Sequence, residues 1–452
     1  MAPAFHEFAA HITYDDLPPD VLRVLRRSFL DTMGVAAVGS TTAMAKAAYQ
    51  GATAVFGLGA VGGARVLMHG PRLSPAGAAM AGAFMVDSID AHDGTSPCKG
   101  HAGSAVFPAL LALADMKDDL QGADFATLIA VGYEVSYRAG LAQHANCADY
   151  HTSGAWTAVG VATAFARGLG ASMDHIRHAA GIAEYHGPRS QMMRCIDHPT
   201  MLRDGVGWGA PSGVTAAYLA QAGFTGAPAL TCEDAPEYWA DLGDTWRIVS
   251  DTHYKPYPCC RWAHPAIDAA KALMRDHGLT HDMVASVDIK TFHNATRLAG
   301  HHPKSPDEFA YSIAFPVAAM IVRGQLGATE LTAETLQDLE ILRVSSATNL
   351  IDDPHLTQIS DGKRWAQVSI TLTDGRVIAD APRTPRGDTD LPLSDHEVSD
   401  KFHMFADPVL GETRANEMEE LCGHFDQLNV RDFRHLRDLV HNSPNSKAVP
   451  AR

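Results

Sequence analysis

The chain has 452 residues, a formal net charge of −16, 46% hydrophobic residues and 19% charged residues. The length favours two domains, the composition is typical of a globular protein, and the negative charge argues against nucleic acid or an acidic membrane surface as partner. No apolar run approaches the ~18 residues of a membrane span, and the N-terminus lacks the basic and apolar regions of a signal peptide. None of the seven cysteines forms a CxxC pair, so we expect a reducing, cytoplasmic location.

Residues 1–250 predict one helix after another. Val21, Leu25 and Phe29 recur at about every fourth position after Asp20, which we expect to cap this helix. Gly, Pro, Asn and Asp separate further Ala-rich segments of helical pattern. These segments are residues 74–90, 102–116, 123–142, 154–169 and 212–222. Strand patterns are almost absent from this half of the chain.

The pattern changes after about residue 278. Residues 284–293 alternate between apolar and polar as a strand does, and residues 366–379 predict a hairpin through an Asp-Gly turn. Helical patterns lie at 309–323 and 333–342, and helix returns from Ser394.

These patterns predict a mainly α protein of two domains. A large all-helical domain would comprise residues 1–265 and 394–452, with a smaller α+β lid domain, residues 266–393, inserted into it. The tail after Asn442 is expected to be disordered.

The segment from Tyr254 to Pro265 brings several chemically active side chains together. Its prolines remove backbone donors and fix φ, so its first half cannot lie inside a helix, and the helical pattern begins at Ala263. Cations next to a helix N-terminus favour anions. The segment therefore predicts a site for an acidic small molecule. Its active side chains are Lys255, Cys259, Cys260, Arg261 and His264.

A second cluster, residues 87–103, lies between two apolar helical segments. It holds three aspartates, two histidines and a lysine, a density that exceeds what a solvated loop needs. His101 directly precedes the second apolar helix, which favours a functional site. The alternative is a charged surface loop in which Asp93 or Ser96 caps a helix.

Two shorter segments could contribute to the same site. His151 precedes a small-residue helix that Thr152 or Ser153 could cap, and the N-terminus of this helix could hold a carboxylate. The alternative is a buried histidine bonded to the backbone. Residues 201–210 carry glycines at alternate positions, so the backbone there can approach either a ligand or a packed helix. No strand precedes them, which argues against dinucleotide binding.

Several familiar chemistries lack their residue patterns. A catalytic zinc site needs three positioned ligands, and neither HExxH nor HxxEH spacing occurs. The cysteines show no iron–sulfur spacing, and a Walker loop and a GxSxG elbow are missing. The sequence therefore predicts acid–base chemistry by His, Asp, Lys and Tyr, without metal or cofactor.

At these clusters the chain resembles the MmgE/PrpD family, which includes 2-methylcitrate dehydratase, cis-aconitate decarboxylase and iminodisuccinate epimerase. The similar segments occur in family order and cover most of the chain. They are Phe29–Gly34, Asp87–Gly103, His151–Gly154, Gly213–Ala220, Phe224–Gly226, Lys255–Cys260 and His264–Asp268. The resemblance implies a large all-helical domain with a smaller α+β lid, a homodimer and a site without metal.

The resemblance also implies catalytic residues. Asp90, His101, His151 and Lys255 match active-site positions of the family. One of the two histidines would act as base and the other as acid, because imidazole titrates near neutral pH. Asp90 would orient one imidazole.

The chain departs from the family pattern at three positions. Arg203 stands where the family usually has lysine, and Cys260 stands where some decarboxylases have histidine. The family tyrosine of the lid helix falls at Phe315, with Tyr311 one turn earlier. We expect Lys255 and Arg203 to clamp substrate carboxylates, with Arg261 as support. The expected substrate-binding set is Arg203, Arg261, Asp93, Thr95, Cys260 and Tyr311.

The family reactions share a carbanion-like centre next to a carboxylate. The expected function is a cofactor-independent lyase of a small di- or tricarboxylate, most of all a dehydratase, or else a decarboxylase. The first alternative is an epimerase of an amino- or imino-dicarboxylate. The second is an inactive binding scaffold, which Phe315 and Arg203 favour and the retained histidines, Asp90 and Lys255 oppose.

Overall fold

The computed structural model describes residues 2–59, 62–298, 300–360 and 362–444. The part of the C-terminal tail from residue 445 onward, for which we predict disorder, lies outside the described residues.

Helices make up most of the described chain. The first ten are α1 (Phe5–His11), α2 (Pro19–Gly39), α3 (Ala43–Phe56), α4 (Pro75–Asp87), α5 (Gly103–Asp115), α6 (Gly122–Asn146), α7 (Gly154–Gly168), α8 (Met173–His186), α9 (Met192–Asp197) and α10 (Val206–Gln221). The others are α11 (Leu230–Glu233), α12 (Arg247–Asp251), α13 (His264–Asp276), α14 (Pro306–Ala310), α15 (Ala314–Arg323), α16 (Ala333–Leu336), α17 (Leu339–Ser346), α18 (Pro354–Ile359), α19 (Asp395–Leu410), α20 (Glu412–Cys422) and α21 (Val430–His441).

The strands form two short ladders and one small sheet. The ladders are β1 (Ala64–Arg65) with β2 (Arg72–Leu73), and β3 (Gly94–Thr95) with β4 (Thr252–His253), both antiparallel. The sheet contains β5 (Val284–Thr291), β6 (Thr348–Asp352), β7 (Ala366–Leu372) and β8 (Val377–Ala379), in the order β6-β5-β7-β8. Only β5 and β6 run parallel within it. The prediction of a mainly α fold with a small α+β part is thereby confirmed.

Local chemistry explains where key helices begin. Ser74 caps α4 by accepting from the backbone of Gly77, and Ser394 caps α19 in a capping box with Glu397. The expected cap Asp20 instead lies in the first turn of α2, because proline supplies the preceding extended residue and the first helical one.

Two large hydrophobic cores carry the fold of the described residues, beside a small third cluster where α3 and the β1–β2 ladder pack on α4. The first is built mainly from α2, α4–α8, α10 and the C-terminal helices α19–α21. The second packs α13 and α15 against the four-stranded sheet. The exact domain limits, 1–265 plus 394–452 and 266–393, stay a prediction.

Most of the predicted segments form the elements expected of them. The windows before residue 222 became α4 to α7 and α10, and both predicted strand regions formed. The window 309–323 is interrupted between Ala310 and Ala314, where Tyr311 and Ser312 leave helical geometry. The patterns of α3, α8 and β6 were missed. Among the described residues, no helix is both long enough and apolar enough to cross a membrane.

Candidate active site

A cleft lies where the loops of the helical core meet the second core. The space between its walls, including its open mouth, measures about 530 Å³. Its lining combines cations, histidines and a few apolar side chains. The lining residues are Asp90, Thr95, Ser96, Lys99, Gly100, His101, Tyr150, Met192, Ile196, Asp204, His253, Lys255, Cys260, Arg261, Trp262, Tyr311 and Arg364.

The β3–β4 ladder joins the two main sequence clusters. It pairs Gly94 with His253, two residues before Lys255. The loop after β3 folds back through a bridge between Thr95 and Gly100, which places His101 beside the ladder. A Cβ on Gly94 would lie 2.6 Å from Nδ1 of His101 and 2.8 Å from Nε2 of His253. Glycine at this position therefore lets two imidazoles approach the same point.

Lys255 forms a buried ion pair at the base of the cleft. Its ammonium donates to the Asp90 carboxylate and, at 3.0 Å, to the Asp90 carbonyl oxygen. The backbone of Asp90 has φ of +50°, in the left-handed region that aspartate tolerates better than most residues. Both side chains are buried, so the ammonium is held at a fixed place in the lining.

His101 presents a free ring nitrogen to the cleft. Its Nδ1 lies 2.7 Å from the carbonyl oxygen of Asp93, which can only accept, so Nδ1 carries the hydrogen. Burial, and next the charge of Lys255, hold the pKa of His101 well below its usual range. In the resulting neutral ring Nε2 carries a lone pair, as a general base requires.

Asp204 lies beside this lone pair. Its Oδ2 is 3.7 Å from Nε2 of His101. Burial, together with the nearby carboxylates of Asp87 and Asp90, raises the pKa of Asp204 to about 7. The carboxyl group is therefore poised to change charge near neutral pH.

Ser153 links the same groups but does not cap α7. Its hydroxyl accepts from the backbone of His101 at 3.0 Å and donates to Asp204 at 3.4 Å. It makes no capping bond within the helix, and Thr152 lies outside the N-cap position, so the capping prediction is wrong. The buried polar partners compete successfully for this hydroxyl.

Arg203 lies behind the cleft wall. Its guanidinium donates to Asp307 at 2.7 Å and to the carbonyl oxygen of Ser88 at 2.8 Å, and its Cζ lies 5.3 Å from the ring centroid of Tyr311. It is buried but does not line the cleft, whereas Tyr311 does. Phe315, at the expected family tyrosine, packs against Phe309. In this conformation the tyrosine, and not the arginine, faces the cleft.

The other predicted residues divide into two groups. Thr95, Cys260 and Arg261 line the cleft, and burial raises the pKa of the Cys260 thiol to about 12, which keeps it protonated. Asp93 and His151 do not line it. Asp93 is buried and accepts from the Tyr133 hydroxyl at 2.8 Å, and the half-buried His151 ring donates to the carbonyl oxygen of Asp149.

Comparison with known proteins decides the family. Residues 4–238 match the MmgE/PrpD N-terminal domain and residues 257–427 match the MmgE/PrpD C-terminal domain. The chain belongs to the MmgE/PrpD family. This confirms the identification made from the sequence.

Several curated proteins resemble this MmgE/PrpD chain along most of its length. A cis-aconitate decarboxylase of Aspergillus terreus is 24% identical, over 98% of this chain and 96% of the relative. The human cis-aconitate decarboxylase is 24% identical over 90% of this chain and 88% of its own. A cis-aconitate decarboxylase-like protein of Aspergillus oryzae is 23% identical over 89% and 90%. The prediction of an enzyme of the lyase type within the MmgE/PrpD family is confirmed at this level.

One group of side chains in this MmgE/PrpD chain has the atom types and the spacing of metal ligands. Asp90, His92 and His101 offer atoms within 4.8 Å of one another. However, the Asp90 carboxylate is paired with Lys255, and Nε2 of His92 lies 3.1 Å from Asp87. A metal would have to displace an ammonium that already neutralises the carboxylate, so the residues do not fit a metal in this arrangement.

Sequence reasoning missed several lining residues of the MmgE/PrpD site. His253 lies just before the segment from Tyr254 to Pro265. Asp204 lies within the glycine-rich segment 201–210, next to Arg203. Arg364 comes from the loop before β7 and carried no motif. Only the fold brings these residues together, since they are more than a hundred residues from the histidine loop 87–103.

Proposed function

We propose that the chain is a cofactor-independent lyase that acts on a small di- or tricarboxylate through a carbanion-like centre next to a carboxylate. The observation that carries the proposal is the buried lone pair on Nε2 of His101, in a cleft that also contains Lys255, Lys99, Arg261 and Arg364. A neutral imidazole takes a proton, and the cations offset the charge that develops on carboxylate oxygens.

In this mechanism His101 is the base and its neighbours support the charge. A proton moving from the substrate carbon to Nε2 creates an imidazolium 3.7 Å from Asp204, whose carboxylate stabilises it. Lys255 stabilises the growing negative charge of the substrate carboxylate, with Arg261 as a second cation. Loss of hydroxide completes a dehydration. In a decarboxylation the C–CO2 bond breaks instead, and its electron pair ends on a carbon that takes up a proton.

The names of the relatives favour decarboxylation of an unsaturated tricarboxylate such as cis-aconitate. The cysteine at position 260 distinguishes this cleft from the expected decarboxylase pattern, so dehydration of a hydroxy acid is retained as the second lyase reaction.

Proton NMR in D2O tests the proposal. Protein is incubated with citrate, methylcitrate, cis-aconitate, malate, tartrate and iminodisuccinate, beside a His101→Ala control. We expect a new vinylic signal or loss of a carboxyl carbon with one of these acids, and a rate lower by about 10²–10⁴-fold for the control. Exchange at the α-carbon without either change would replace the lyase by an epimerase. No reaction and no exchange with any acid would favour a binding scaffold.

We also propose that the protein is a homodimer. Three large apolar side chains project from the neighbouring helices α8 and α10 and the segment before α10: Tyr185, Leu202 and Trp208, with exposed fractions of 77%, 61% and 56%. Such side chains favour burial against a second copy. Light scattering coupled to size-exclusion chromatography should give a molar mass twice that of one chain. The Trp208→Glu variant should give a mass closer to that of the monomer. A wild-type monomer at micromolar concentration would contradict this. The cytoplasmic location stays a prediction.

A further inference from the structure

A second histidine, His253, occupies the cleft opposite His101. It lies in β4, opposite Gly94, and is only 4% exposed. Its ring centroid is 6.5 Å from that of His101, and the two rings are nearly perpendicular, at 87°. Both rings line the cleft, so a small substrate bound there would lie against both of them.

The hydrogen bonds around His253 identify its tautomer. The Ser96 hydroxyl lies 3.3 Å from Oδ1 of Asp388 and 3.3 Å from Nδ1 of His253. Its single hydrogen goes to the carboxylate, which can only accept, so the hydroxyl oxygen accepts from Nδ1 of the imidazole. Oδ1 of Asp388 also lies 3.5 Å from Nδ1 and favours a hydrogen there. In the neutral ring the lone pair therefore sits on Nε2.

Nε2 of His253 is a buried polar atom without a partner among the described residues. A buried acceptor that is left unpaired costs about 1–3 kcal/mol, so a bound group that donates a hydrogen bond to this atom would be favoured. Burial, then the charges of Arg261, Lys255 and Arg364, hold the pKa of His253 well below its usual range. The carboxylates of a bound substrate would oppose these cations and favour protonation of the ring.

His151 does not supply such an atom. Its Nδ1 is bonded to the backbone of Asp149 and its ring is half-buried outside the cleft lining. The second proton-transfer role that the sequence suggested for His151 is thus left without a group that faces the substrate.

We propose that His253 is the second proton-transfer residue of the cleft, working with His101, and that Ser96 and Asp388 position it through Nδ1. This inference rests on the proposed lyase function. In a dehydration, the proton from carbon goes to Nε2 of His101, the C–H electron pair becomes the double bond, and the leaving hydroxide takes a proton from Nε2 of His253 and departs as water. In a decarboxylation, Nε2 of His253 gives its proton to the carbon that receives the electron pair of the broken C–CO2 bond.

Two substitutions separate chemistry from positioning. His253→Asn keeps an amide near Nδ1, within reach of Ser96 and Asp388, and removes Nε2. His253→Gln keeps a polar group near Nε2 that cannot transfer a proton at neutral pH. The control is His69→Gln, because burial lowers the pKa of the part-buried His69 as it does that of His253, and His69 lies outside the cleft lining.

Turnover and proton uptake are the two readouts. We expect both His253 variants to lose about 10²–10⁴-fold in kcat, with KM changed far less, while His69→Gln stays near wild type. Binding of the unreactive acid tricarballylate is then followed by calorimetry in two buffers of different ionisation enthalpy. Wild type should take up protons on binding, and both His253 variants should take up fewer, by up to about one.

The outcomes distinguish this inference from the proposed function. If wild type converts none of the acids, the lyase proposal fails, and proton uptake with tricarballylate still tests His253 separately. The inference would be overturned if both His253 variants kept kcat within about threefold of wild type and took up as many protons on binding as wild type does. If one variant does not fold, as circular dichroism would reveal, the other decides between the same two results.

Discussion

At the scale of single residues, the cleft places an imidazole that favours the deprotonated form next to a carboxyl group that favours the protonated form. Burial and Lys255 favour the neutral form of His101, whereas burial and neighbouring carboxylates favour the protonated form of Asp204. The two groups are 3.7 Å apart. When His101 takes a proton from the substrate, Asp204 can stabilise the imidazolium only if it is ionised. The reaction rate should therefore depend on the protonation state of Asp204.

This coupling predicts the acid limb of the pH–rate profile. Because the pKa of Asp204 is about 7, kcat/KM should rise with pH through a midpoint near 7 in the wild-type enzyme. Asp204→Asn should remove this limb and lower kcat/KM at pH 8 by about tenfold, the effect of roughly one pKa unit on the imidazolium. Asp118→Asn, an exposed carboxylate, is the control. A limb near pH 7 that persists in Asp204→Asn would assign the titration to another group.

Asp93 predicts a different effect, on stability. Burial, and next the charge of Asp31, raise its pKa from 3.8 to about 7. The folded state therefore binds the proton more tightly than the unfolded state, so this stabilisation is complete below about pH 4 and is lost as pH rises through 7. Asp93→Asn keeps an acceptor for the Tyr133 hydroxyl without the charge. It should be more stable than wild type by about 1–3 kcal/mol at pH 8, and the difference should shrink at pH 5. Urea unfolding at the two pH values measures it, and a pH-independent difference would contradict the buried ionisation.

At the scale of elements, the two-residue ladder of β3 and β4 positions the acid–base groups. Each strand contributes only two residues, yet the ladder fixes the histidine loop against the segment that carries Lys255. The face of Gly94 without a side chain accommodates both His101 and His253.

Gly94→Ala should therefore impair activity as well as stability. The added methyl would lie under 3.0 Å from both imidazoles, which must then move. A displacement of about 1 Å at reacting groups can cost ~10²-fold in rate, and overpacking costs about 1–3 kcal/mol. Gly51→Ala is the matched control, because its Cβ in α3 would meet nothing within 4 Å. It should leave kcat unchanged and raise the melting temperature slightly. Wild-type kcat in Gly94→Ala would show that the rings are not held against this glycine.

Periodicity and punctuation predicted the elements better than they predicted the site. The helices α4 to α7 and the strands β5 and β7 follow from local patterns, and the resemblance drew attention to Asp90, His101 and Lys255, which all line the cleft. Local sequence left open whether His151 faces a ligand or bonds to the backbone; in the structure its ring bonds to the carbonyl oxygen of Asp149.

The residues that were missed depend on distant contacts. Arg364 reaches the cleft from the loop before β7, and His253 reaches it because β4 pairs with β3. Tyr311 lines the cleft where the helical window breaks between Ala310 and Ala314. The apolar periodicity of the sequence continues through this break and therefore does not reveal it.

At the scale of the whole molecule, the C-terminal helices complete the first core around the site. Lys401 of α19 forms a buried ion pair with Asp31 of α2 at 2.5 Å and donates to the carbonyl oxygen of Ala91 at 2.6 Å. One ammonium thus joins residues about 370 positions apart and supports the histidine loop between Asp90 and His92. Since the pair is buried, removing one of its two charges would leave the other buried without a counter-charge.

Removing one partner of this pair should destabilise the whole fold. Lys401→Met leaves Asp31 buried without its cation, and we expect a loss of about 3–5 kcal/mol in the free energy of unfolding. Adding Asp31→Asn should recover most of it, because the uncompensated charge is then absent. Lys363→Met, which breaks an exposed pair with Asp390, is the matched control and should change stability by less than about 1 kcal/mol. Urea unfolding of the four proteins measures these differences. A loss in Lys401→Met no larger than in Lys363→Met, or no recovery in the double variant, would show that the pair does not tie the C-terminal helices to the site.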